Sequence, residues 1–339
     1  MHYFLDWILV ILTLMYAGVL IAYRYWFDKL TYFDFKPDQN GPTFTRFSIV
    51  VPARNEEANI KNCLDSLIAQ SYPKDFFEVI VIDDFSEDNT ASIVEAIHQK
   101  HSHIKLLKLA NYYKAEEISS YKKKAIEKAV SQANGDWIIT TDADCIAPVD
   151  WLKLYHQYIL AHRPVFVAAP VMFIKEKGIL NEFQVLDFLA LQGITAAAVS
   201  AGKHSISNGA NLAFEKSAFI AVGGYQGVDQ IASGDDMFLM HKMKKTLSNR
   251  IGYLFHPDAI VLTKAMPRWK DLIMQRIRWS SKARFYDDQS IFYLSEKNGN
   301  QNIYQLSLNT KSNEKQLTDF KNHPVRHLSR SNNNTLCFS

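Results

Sequence analysis

The sequence predicts an α/β protein organised around a doubly wound, mostly parallel sheet, and two features lead to that prediction. Short, wholly apolar runs alternate with amphipathic helical stretches between residues 46 and 144. Strands that are apolar throughout are buried on both faces, which happens when helices cover both sides of a parallel sheet. Acidic clusters also follow apolar runs at three places: Asp83-Asp84, Asp142 with Asp144, and Asp235-Asp236. Because ligands of open α/β sheets bind beyond the carboxyl ends of the strands, these acids indicate where a site belongs.

Each element of the first half follows from its own pattern. FSIVVPAR (47–54) is a fully apolar strand, and Asn55 could cap a helix whose apolar residues Ile60, Leu64, Leu67 and Ile68 share one face. Strands and helices then alternate with short connections: EVIVIDD (78–84), TASIVEAIHQK (90–100), HIKLLKL (103–109), KKKAIEKAVSQA (122–133) and WIITTDAD (137–144). Repeated βα units of this kind build a doubly wound sheet.

The second half is less regular. Residues 151–161 have a helical pattern, residues 164–174 predict one strand, and residues 179–200 predict a long apolar helix. That helix has two interpretations: a core helix lying on the sheet, or a wall of an acceptor site near a membrane surface. After Asp288 the composition changes, and IFYLS, a turn around Gly299 and NIYQLSL predict a small C-terminal β-hairpin tail.

The N-terminal segment has the character of a membrane anchor. Residues 7–23 contain no charge and reach about 17 residues, the lower limit for a helix that crosses a bilayer. Arg24 and Lys29 follow this run, and the positive-inside bias then places the rest of the chain in the cytoplasm. We therefore expect a single-pass transmembrane helix over 1–27 in the inner (plasma) membrane, followed by a linker over 28–45. A buried core helix is the alternative.

The composition limits which other classes of protein the chain can belong to. The chain has 339 residues, of which 47% are apolar and 22% charged, as in ordinary globular proteins. Its formal net charge of +3 is too small to argue for a nucleic-acid partner. The three cysteines are far apart and odd in number, so a reducing compartment explains them more simply than a disulfide framework does.

The acidic clusters indicate chemistry with a cation. Several carboxylates at one pocket rim repel one another unless a cation or a proton neutralises them, and a divalent metal that carries a diphosphate would do so. Asp142 and Asp144 point to one face if the chain is extended there, although turn or helix-capping aspartates are the alternative. Adjacent carboxylates such as Asp235 and Asp236 suit acid–base chemistry, although acids also favour helix N-termini.

Seven motifs occur in a fixed order: VPARNEE, VIDDFSEDNT, TDADC, SNGANLAF, VGGY, SGDD and QRIRW. Together they resemble family 2 glycosyltransferases with the nucleotide-diphospho-sugar transferase (GT-A) fold, in the membrane-attached branch. The resemblance covers about residues 46–286, which we expect to form the transferase domain. It implies an inverting transfer from a nucleotide-diphospho-sugar, a UDP-sugar, to a lipid-linked or polysaccharide acceptor, with Mg²⁺ or Mn²⁺ as the cofactor.

The resemblance also implies a role for each matched residue. Asp144 would contact the metal, and Asp142 would lie beside it and contact the sugar or ribose. Asp236, next to Asp235, would be the general base. The residues implied to bind the nucleotide-sugar are Pro52, Arg54, Asn55, Glu56, Asp83, Asp84, Lys122, Asp142, Gln275, Arg278 and Trp279. Asn208, Gly209 and Asn211 in SNGAN would shape the acceptor loop.

Some of these residues have plainer interpretations. Arg54 could be only an ion-pair partner of Glu56 or Glu57. Lys122 follows Tyr121, where the family usually has glycine, and residues 122–124 otherwise predict a solvated helix face. QRIRW could be part of an ordinary amphipathic helix.

The tail leaves alternatives open. Residues 287–339 resemble one blade of a TolB- or tricorn-type β-propeller, and a single blade cannot bury both its faces. One rival hypothesis is therefore a catalytically impaired, truncated fusion that acts as a membrane-bound interaction protein. A second rival, a nucleotidyltransferase, would need a glycine-rich triphosphate loop, and VPARNEEAN is poor in glycine.

Overall fold

The structure is a computed structural model. It describes residues 2–36, 43–114, 120–203, 207–227, 234–247 and 250–280, together with five short strands after residue 289. The chain separates into two units, Met1–Trp269 and Lys270–Ser339.

The first unit contains the predicted sheet. Its strands are β1 (Phe47–Ala53), β2 (Phe77–Asp83), β3 (Ile104–Lys108), β4 (Trp137–Thr140), β5 (Phe166–Ala168), β6 (Val171–Phe173), β7 (Leu212–Glu215), β8 (Ile251–Tyr253) and β9 (Val261–Thr263). Seven of them form one sheet in the order β3-β2-β1-β4-β7-β5-β8. Only the pairings of β7, with β4 and β5, are antiparallel. The mostly parallel α/β sheet is therefore confirmed, and every residue of β2 is buried as a strand covered on both faces requires.

Eight helices accompany these strands in the described residues: α1 (His2–Asp28), α2 (Ile60–Ile68), α3 (Thr90–His98), α4 (Tyr121–Gln132), α5 (Trp151–His162), α6 (Ile179–Ser200), α7 (Lys216–Ala221) and α8 (Asp235–Leu247). A further helix, α9 (Trp269–Ser280), begins at the last residue of this unit and otherwise belongs to the second one. The helix after β1 begins later than the sequence predicts. Asn59 is its N-cap residue, and Asn55 lies in the preceding loop with a positive φ of 55°. The apolar face itself is as predicted, because Ile60, Leu64 and Leu67 are buried.

The predicted strand over 164–174 is wrong in one respect: it is two strands. Pro170 separates β5 from β6, and β6 pairs with β9 in a second, two-stranded parallel sheet. Proline has no N–H to continue a strand ladder. Its carbonyl instead accepts a hydrogen bond from Asn211 Nδ2 (2.6 Å), and the next N–H, of Val171, donates to Gln192 on α6 (3.2 Å).

The long helix α6 has a buried and an exposed apolar face. Phe188 is buried and stacks on Phe173 of β6 with ring centroids 4.5 Å apart, as expected of a helix lying on the core. Ile179 and Leu186 are 81% and 68% exposed. By length and composition, two segments of the described chain could cross a membrane: Leu9–Asp28 and Ile179–Ser200.

The first part of the predicted linker packs on the sheet domain. Tyr32 stacks on Phe255 with centroids 4.6 Å apart, and the Phe33 N–H donates to the Phe255 carbonyl (3.0 Å). Phe27, at the end of α1, also contacts the Phe255 ring edge-on. These contacts tie α1 to the edge of the sheet. Residues 37–42 of the predicted linker lie outside the described residues.

A buried carboxylate joins strands at the end of the sheet where β1 and β2 begin. Glu78 accepts hydrogen bonds from Ser48 Oγ, Lys105 Nζ and the Asn134 N–H, each at 2.6 Å. Burial alone would raise the pKa of Glu78, but these donors outweigh it and the pKa is lowered. Gly135 is required beside this cluster, because a Cβ there would lie 2.5 Å from the Ser48 nitrogen.

The second unit contains the C-terminal strands. β10 (Ser290–Ser295) pairs antiparallel with β11 (Asn302–Ser307), as predicted for the hairpin, and β12 (Glu314–Gln316) joins β11. β13 (Leu328–Arg330) and β14 (Leu336–Phe338) form a separate antiparallel pair. The turn predicted at residues 297–299 lies outside the described residues, and the likeness to a propeller blade stays a prediction.

Candidate active site

The predicted acids collect at the carboxyl ends of the parallel strands. Asp83 is the last residue of β2, and Asp142 and Asp144 follow β4 directly. Asp235 and Asp236 are the first residues of α8. Because β1, β2 and β4 run parallel, their ends lie along one edge of the sheet.

The DAD segment forms a turn rather than the extended conformation considered from the sequence. The Cys145 N–H donates to the Asp142 carbonyl (3.1 Å), and this brings the two carboxylates together. Ligand atoms of Asp142, Asp144 and Cys145 all lie within 4.8 Å of one another. Thr263, the last residue of β9, donates its hydroxyl to Asp144 Oδ2 (3.0 Å) and so orients that carboxylate.

This cluster fits a hard divalent cation. Burial, and then the nearby charge of Asp142, raise the pKa of Asp144, so its ionised form would be stabilised by a cation. Burial also raises the pKa of the Cys145 thiol, and sulfur is a soft ligand, whereas Mg²⁺ and Mn²⁺ prefer carboxylate oxygens. Two carboxylates with open positions for phosphate oxygens match the way proteins hold Mg²⁺ or Mn²⁺ with nucleotides.

Lys122 connects the two acidic motifs. Its Nζ lies 2.8 Å from Asp142 Oδ1 and 3.7 Å from Asp235 Oδ2. Burial alone would lower the pKa of Lys122, but Asp142, Asp235 and Asp236 outweigh it and raise the pKa, so the ammonium stays charged. Tyr121 in place of the family's glycine does not prevent the lysine from reaching this site.

The expectation of a solvated helix face over residues 122–124 is wrong for its central residue. Lys123 is 1% exposed, and its Nζ lies 4.9 Å from the centre of the Phe238 ring on α8. A cation held against an aromatic face retains favourable electrostatics inside the protein. Lys123 therefore faces the interior, whereas Lys122 and Lys124 on either side of it are half-buried.

The pair at the start of α8 is both a helix N-terminus and part of the acidic cluster. Asp236 Oδ1 accepts from the Met237 N–H (2.8 Å), and Asp236 Oδ2 accepts from the Gly209 N–H (3.0 Å). Asp235 is buried. A helix N-terminus and an acid–base pair, the two interpretations of these residues from the sequence, are thus compatible.

Two residues of the SNGAN segment, Gly209 and Asn211, make hydrogen bonds that support the site. Asn211 is fully buried, and its Oδ1 accepts from Trp151 Nε1 (3.0 Å) and Tyr155 OH (2.9 Å). Its role is structural, which the motif alone did not reveal. Gly209 lies nearer the acids, because Thr140 Oγ1 at the end of β4 donates to its carbonyl (2.7 Å).

The loops after β1 and β2 are joined by polar contacts. The Asn55 N–H donates to Ser86 Oγ (3.0 Å), and Asn55 Oδ1 accepts from the Glu87 N–H (2.8 Å). The Glu56 N–H donates to Thr90 Oγ1 (2.8 Å). Asn55 is therefore a link between loops and not a helix cap, and Pro52 lies in β1 just before this junction.

Two buried carboxylates at the end of β2 have oxygen atoms that accept no hydrogen bond from the described residues. Asp83 and Asp84 are 6% and 9% exposed, and the Oδ1 atom of each has no hydrogen-bond partner among the described residues. Burial raises the pKa of Asp84, while the charge of Arg54 opposes that shift. The ion pair considered for Arg54 is not found within the described ranges; its guanidinium lies 5.2 Å from the centre of the Tyr121 ring.

The QRIRW motif lies on α9. Gln275 and Trp279 are half-buried, and the Arg276 guanidinium lies 4.5 Å from the centre of the Trp279 ring. The side chain of Arg278 lies outside the described residues. The helix is confirmed, and the roles of these residues toward a substrate stay predictions.

The fold defines the class of protein first. A solved structure with the same α/β layout is the mannosyltransferase PcManGT from Pyrobaculum calidifontis, in complex with GDP-Man and Mn²⁺. It aligns with a TM-score of 0.58 and 24% identity over 80% of this chain and 71% of that one. This likeness establishes a GT-A-type fold.

The family follows from the sequence profile described as "Glycosyl transferase family 2", which matches residues 48–223, more than half of the chain. The chain belongs to this family of glycosyltransferases. It is similar to the probable glycosyltransferase YdaM of Bacillus subtilis, with 26% identity over 71% of this chain and 56% of that protein. It is also similar to the poly-beta-1,6-N-acetyl-D-glucosamine synthase of Staphylococcus aureus, with 27% identity over 76% and 61%. The matches thus span little more than half the length of these relatives.

Proposed function

We propose that this protein transfers a sugar from a UDP-sugar to a lipid-linked or polysaccharide acceptor, with inversion at the anomeric carbon. The observation that carries the proposal is the carboxylate cluster of Asp142, Asp144, Asp235 and Asp236 beyond the strand ends of a family 2 domain. A polymer-forming relative of similar sequence and a fold neighbour that binds a nucleotide-sugar support this assignment.

The nucleoside would bind at the ends of β1 and β2. The unused Oδ1 atoms of Asp83 and Asp84 are acceptors, and both the N3–H of uracil and a ribose hydroxyl are donors. A buried carboxylate oxygen gains more from such a donor than an exposed one does. Pro52, Asn55 and Glu56 would form the rest of this wall.

The diphosphate would lie over the DAD turn. Asp144 and Asp142 would hold Mg²⁺ or Mn²⁺, which when bound neutralises the charge that develops on the departing diphosphate. The hydrogen bond from Thr263 to Asp144 Oδ2 would orient that carboxylate toward the metal. Gln275 and Arg278 would contact the diphosphate, and Trp279 would stack against the acceptor sugar.

Asp236 would act as the general base. The N–H groups of Gly209 and Met237 orient its carboxylate. The carboxylate would take the proton from the acceptor hydroxyl as that oxygen attacks the anomeric carbon and the bond to the diphosphate breaks. A single displacement of this kind inverts the configuration.

We also propose attachment to the inner (plasma) membrane through α1, with the catalytic domain in the cytoplasm. The apolar segment of this helix, Leu9–Asp28, has none of its length buried by the rest of the structure. Basic residues follow the apolar run, which matches the positive-inside pattern. Residues 46–286 would be the transferase domain, and residues 287–339 a blade-like tail.

Donor binding and hydrolysis test the proposal. Calorimetric titration should show UDP binding that needs Mn²⁺ in the wild-type protein and is lost in Asp144→Ala. Slow hydrolysis should occur with UDP-sugars and not with GDP-mannose. Equal UDP affinity of the wild type and Asp144→Ala in the presence of Mn²⁺ would contradict the metal assignment. Hydrolysis of GDP-mannose alone would contradict the UDP assignment.

A further inference from the structure

The position of Lys122 supports an inference that rests on the proposed function and deepens it. We propose that Lys122 is an internal counter-ion that takes the charge-balancing place of the divalent metal in the nucleotide-free enzyme. The metal then binds tightly only together with the nucleotide diphosphate, and Lys122 is the residue that couples the two.

The first step of the argument is geometric. The Lys122 ammonium lies 2.8 Å from Asp142 and 3.7 Å from Asp235, so one cation bridges the DAD turn and the start of α8. The side chain of Lys122 is 35% exposed and that of Asp235 is 9% exposed. The Asp142 side chain is 38% exposed, so solvent screens part of its attraction to the ammonium, whereas the shielded Asp235 carboxylate interacts with that ammonium more strongly than the partner in a surface ion pair does.

The second step concerns competition. A divalent metal held by Asp142 would share that carboxylate with the Lys122 ammonium, so the two cations would lie only a few ångströms apart. Two cations at that separation repel each other. Asp142 therefore favours one partner at a time, unless further negative charge arrives. A nucleotide diphosphate brings that charge and offers phosphate oxygens to the ammonium.

The third step is the space made for the ammonium. A Cβ atom on Gly209 would lie 3.2 Å from Lys122 Nζ and 3.3 Å from Asp235 Oδ2. Such a contact is tight, so glycine at this position leaves room for the bridge. The same residue donates its N–H to Asp236 and accepts from Thr140, which holds it rigidly beside the lysine.

Manganese binding tests the inference without relying on turnover. Full-length protein in detergent is titrated with Mn²⁺, with and without saturating UDP, while the electron paramagnetic resonance signal of free Mn²⁺ is followed. In the wild type, UDP should tighten Mn²⁺ binding about tenfold or more, a coupling of about 1.4 kcal/mol. In Lys122→Met, Mn²⁺ should bind about tenfold more tightly without UDP, because one positive charge has left the site.

Three variants make the result specific. Lys122→Arg keeps the charge and should bind Mn²⁺ as the wild type does. Lys128→Met makes the same change on the same helix, where the ammonium lies over the Tyr112 ring at 3.7 Å, and should also leave Mn²⁺ binding unchanged. Gly209→Ala crowds the ammonium and should shift Mn²⁺ affinity in the same direction as Lys122→Met, which provides a test if Lys122→Met does not fold.

The outcomes separate the inference from the proposed function. If Lys122→Met has a normal melting curve and binds Mn²⁺ without UDP only as tightly as the wild type does, the counter-ion role is overturned and the proposed function stands. If the wild type fails to bind Mn²⁺ even with UDP, the metal-dependent function is overturned and this inference with it.

Discussion

The buried carboxylate of Glu78 provides the sharpest test of how this fold is held together. Its two oxygens accept from Ser48, Lys105 and both nitrogens of Asn134, so it joins β1, β2, β3 and the loop before β4. In Glu78→Gln one oxygen becomes an NH₂ group. That group would face the Lys105 ammonium and the Asn134 amide, which are themselves donors.

The magnitude follows from these contacts. A hydrogen bond to a charged group contributes about 1.5–3 kcal/mol, and the lysine, 42% exposed, regains part of its loss from water. We expect Glu78→Gln to lower the free energy of unfolding by about 2–3 kcal/mol. At about 2–4 °C per kcal/mol for a domain of this size, the melting midpoint should fall by about 5 °C or more.

The pH dependence has a definite sign. Because the folded-state pKa of Glu78 is lowered, its contribution is present above the unfolded pKa of about 4.3 and is lost as the pH falls through the folded value. The difference in the free energy of unfolding between wild type and Glu78→Gln should therefore stay constant from about pH 7 to 5, and this gap should narrow below about pH 4.3.

Thermal unfolding of the full-length protein in detergent, followed by circular dichroism at several pH values, measures this gap. Asp65→Asn is the matched control, because Asp65 pairs with Lys61 on the exposed surface of α2 and an exposed pair contributes less than about 1 kcal/mol. A melting midpoint of Glu78→Gln within about 1 °C of wild type at pH 7 would refute the reasoning.

Three further predictions concern the site, the anchor and the tail. Asp236→Asn should keep Mn²⁺-dependent UDP binding and lose transfer by about 10²-fold or more, and near wild-type turnover would remove Asp236 from the mechanism. Full-length protein should fractionate with membranes, whereas a chain lacking residues 1–27 should not; recovery of the full-length chain in the soluble fraction without detergent would contradict the anchor. Limited proteolysis should cut first between residues 287 and 339, and deleting residues 289–339 should lower the melting midpoint of the transferase domain by less than about 8 °C.

The positions of most secondary elements were predictable because they depend on local periodicity. The apolar strand β2 and the one-sided helix α2 each show their burial pattern within about ten residues of sequence. The start of α2 was not predictable in this way, because Asn55 and Asn59 are both good N-cap residues. Contacts of Asn55 with the loop after β2 decide between them.

The candidate site was also only partly predictable from the sequence. The ordered motifs placed Asp83, Asp142 and Asp144 near strand ends and Asp236 among the site residues, and the resemblance they carry named the family. They did not show that Thr263 orients Asp144, nor that Asn211 is a buried structural junction. These partners are 119 and 60 residues away along the chain. A hydroxyl or amide has no sequence signal that reveals so distant a contact.

The sequence by itself thus determined the α/β class, the apolar N-terminal helix and the acidic motifs at the strand ends, since periodicity and strand polarity are local properties. Only the tertiary structure decided what balances the charge of those acids. The burial of Lys123 and the bridge from Lys122 to Asp142 and Asp235 depend on how the start of α4 lies beside the DAD turn and the first residues of α8. A row of lysines has the same sequence pattern whether it faces water or carboxylates, because charge balance in a folded protein is decided by distance through space.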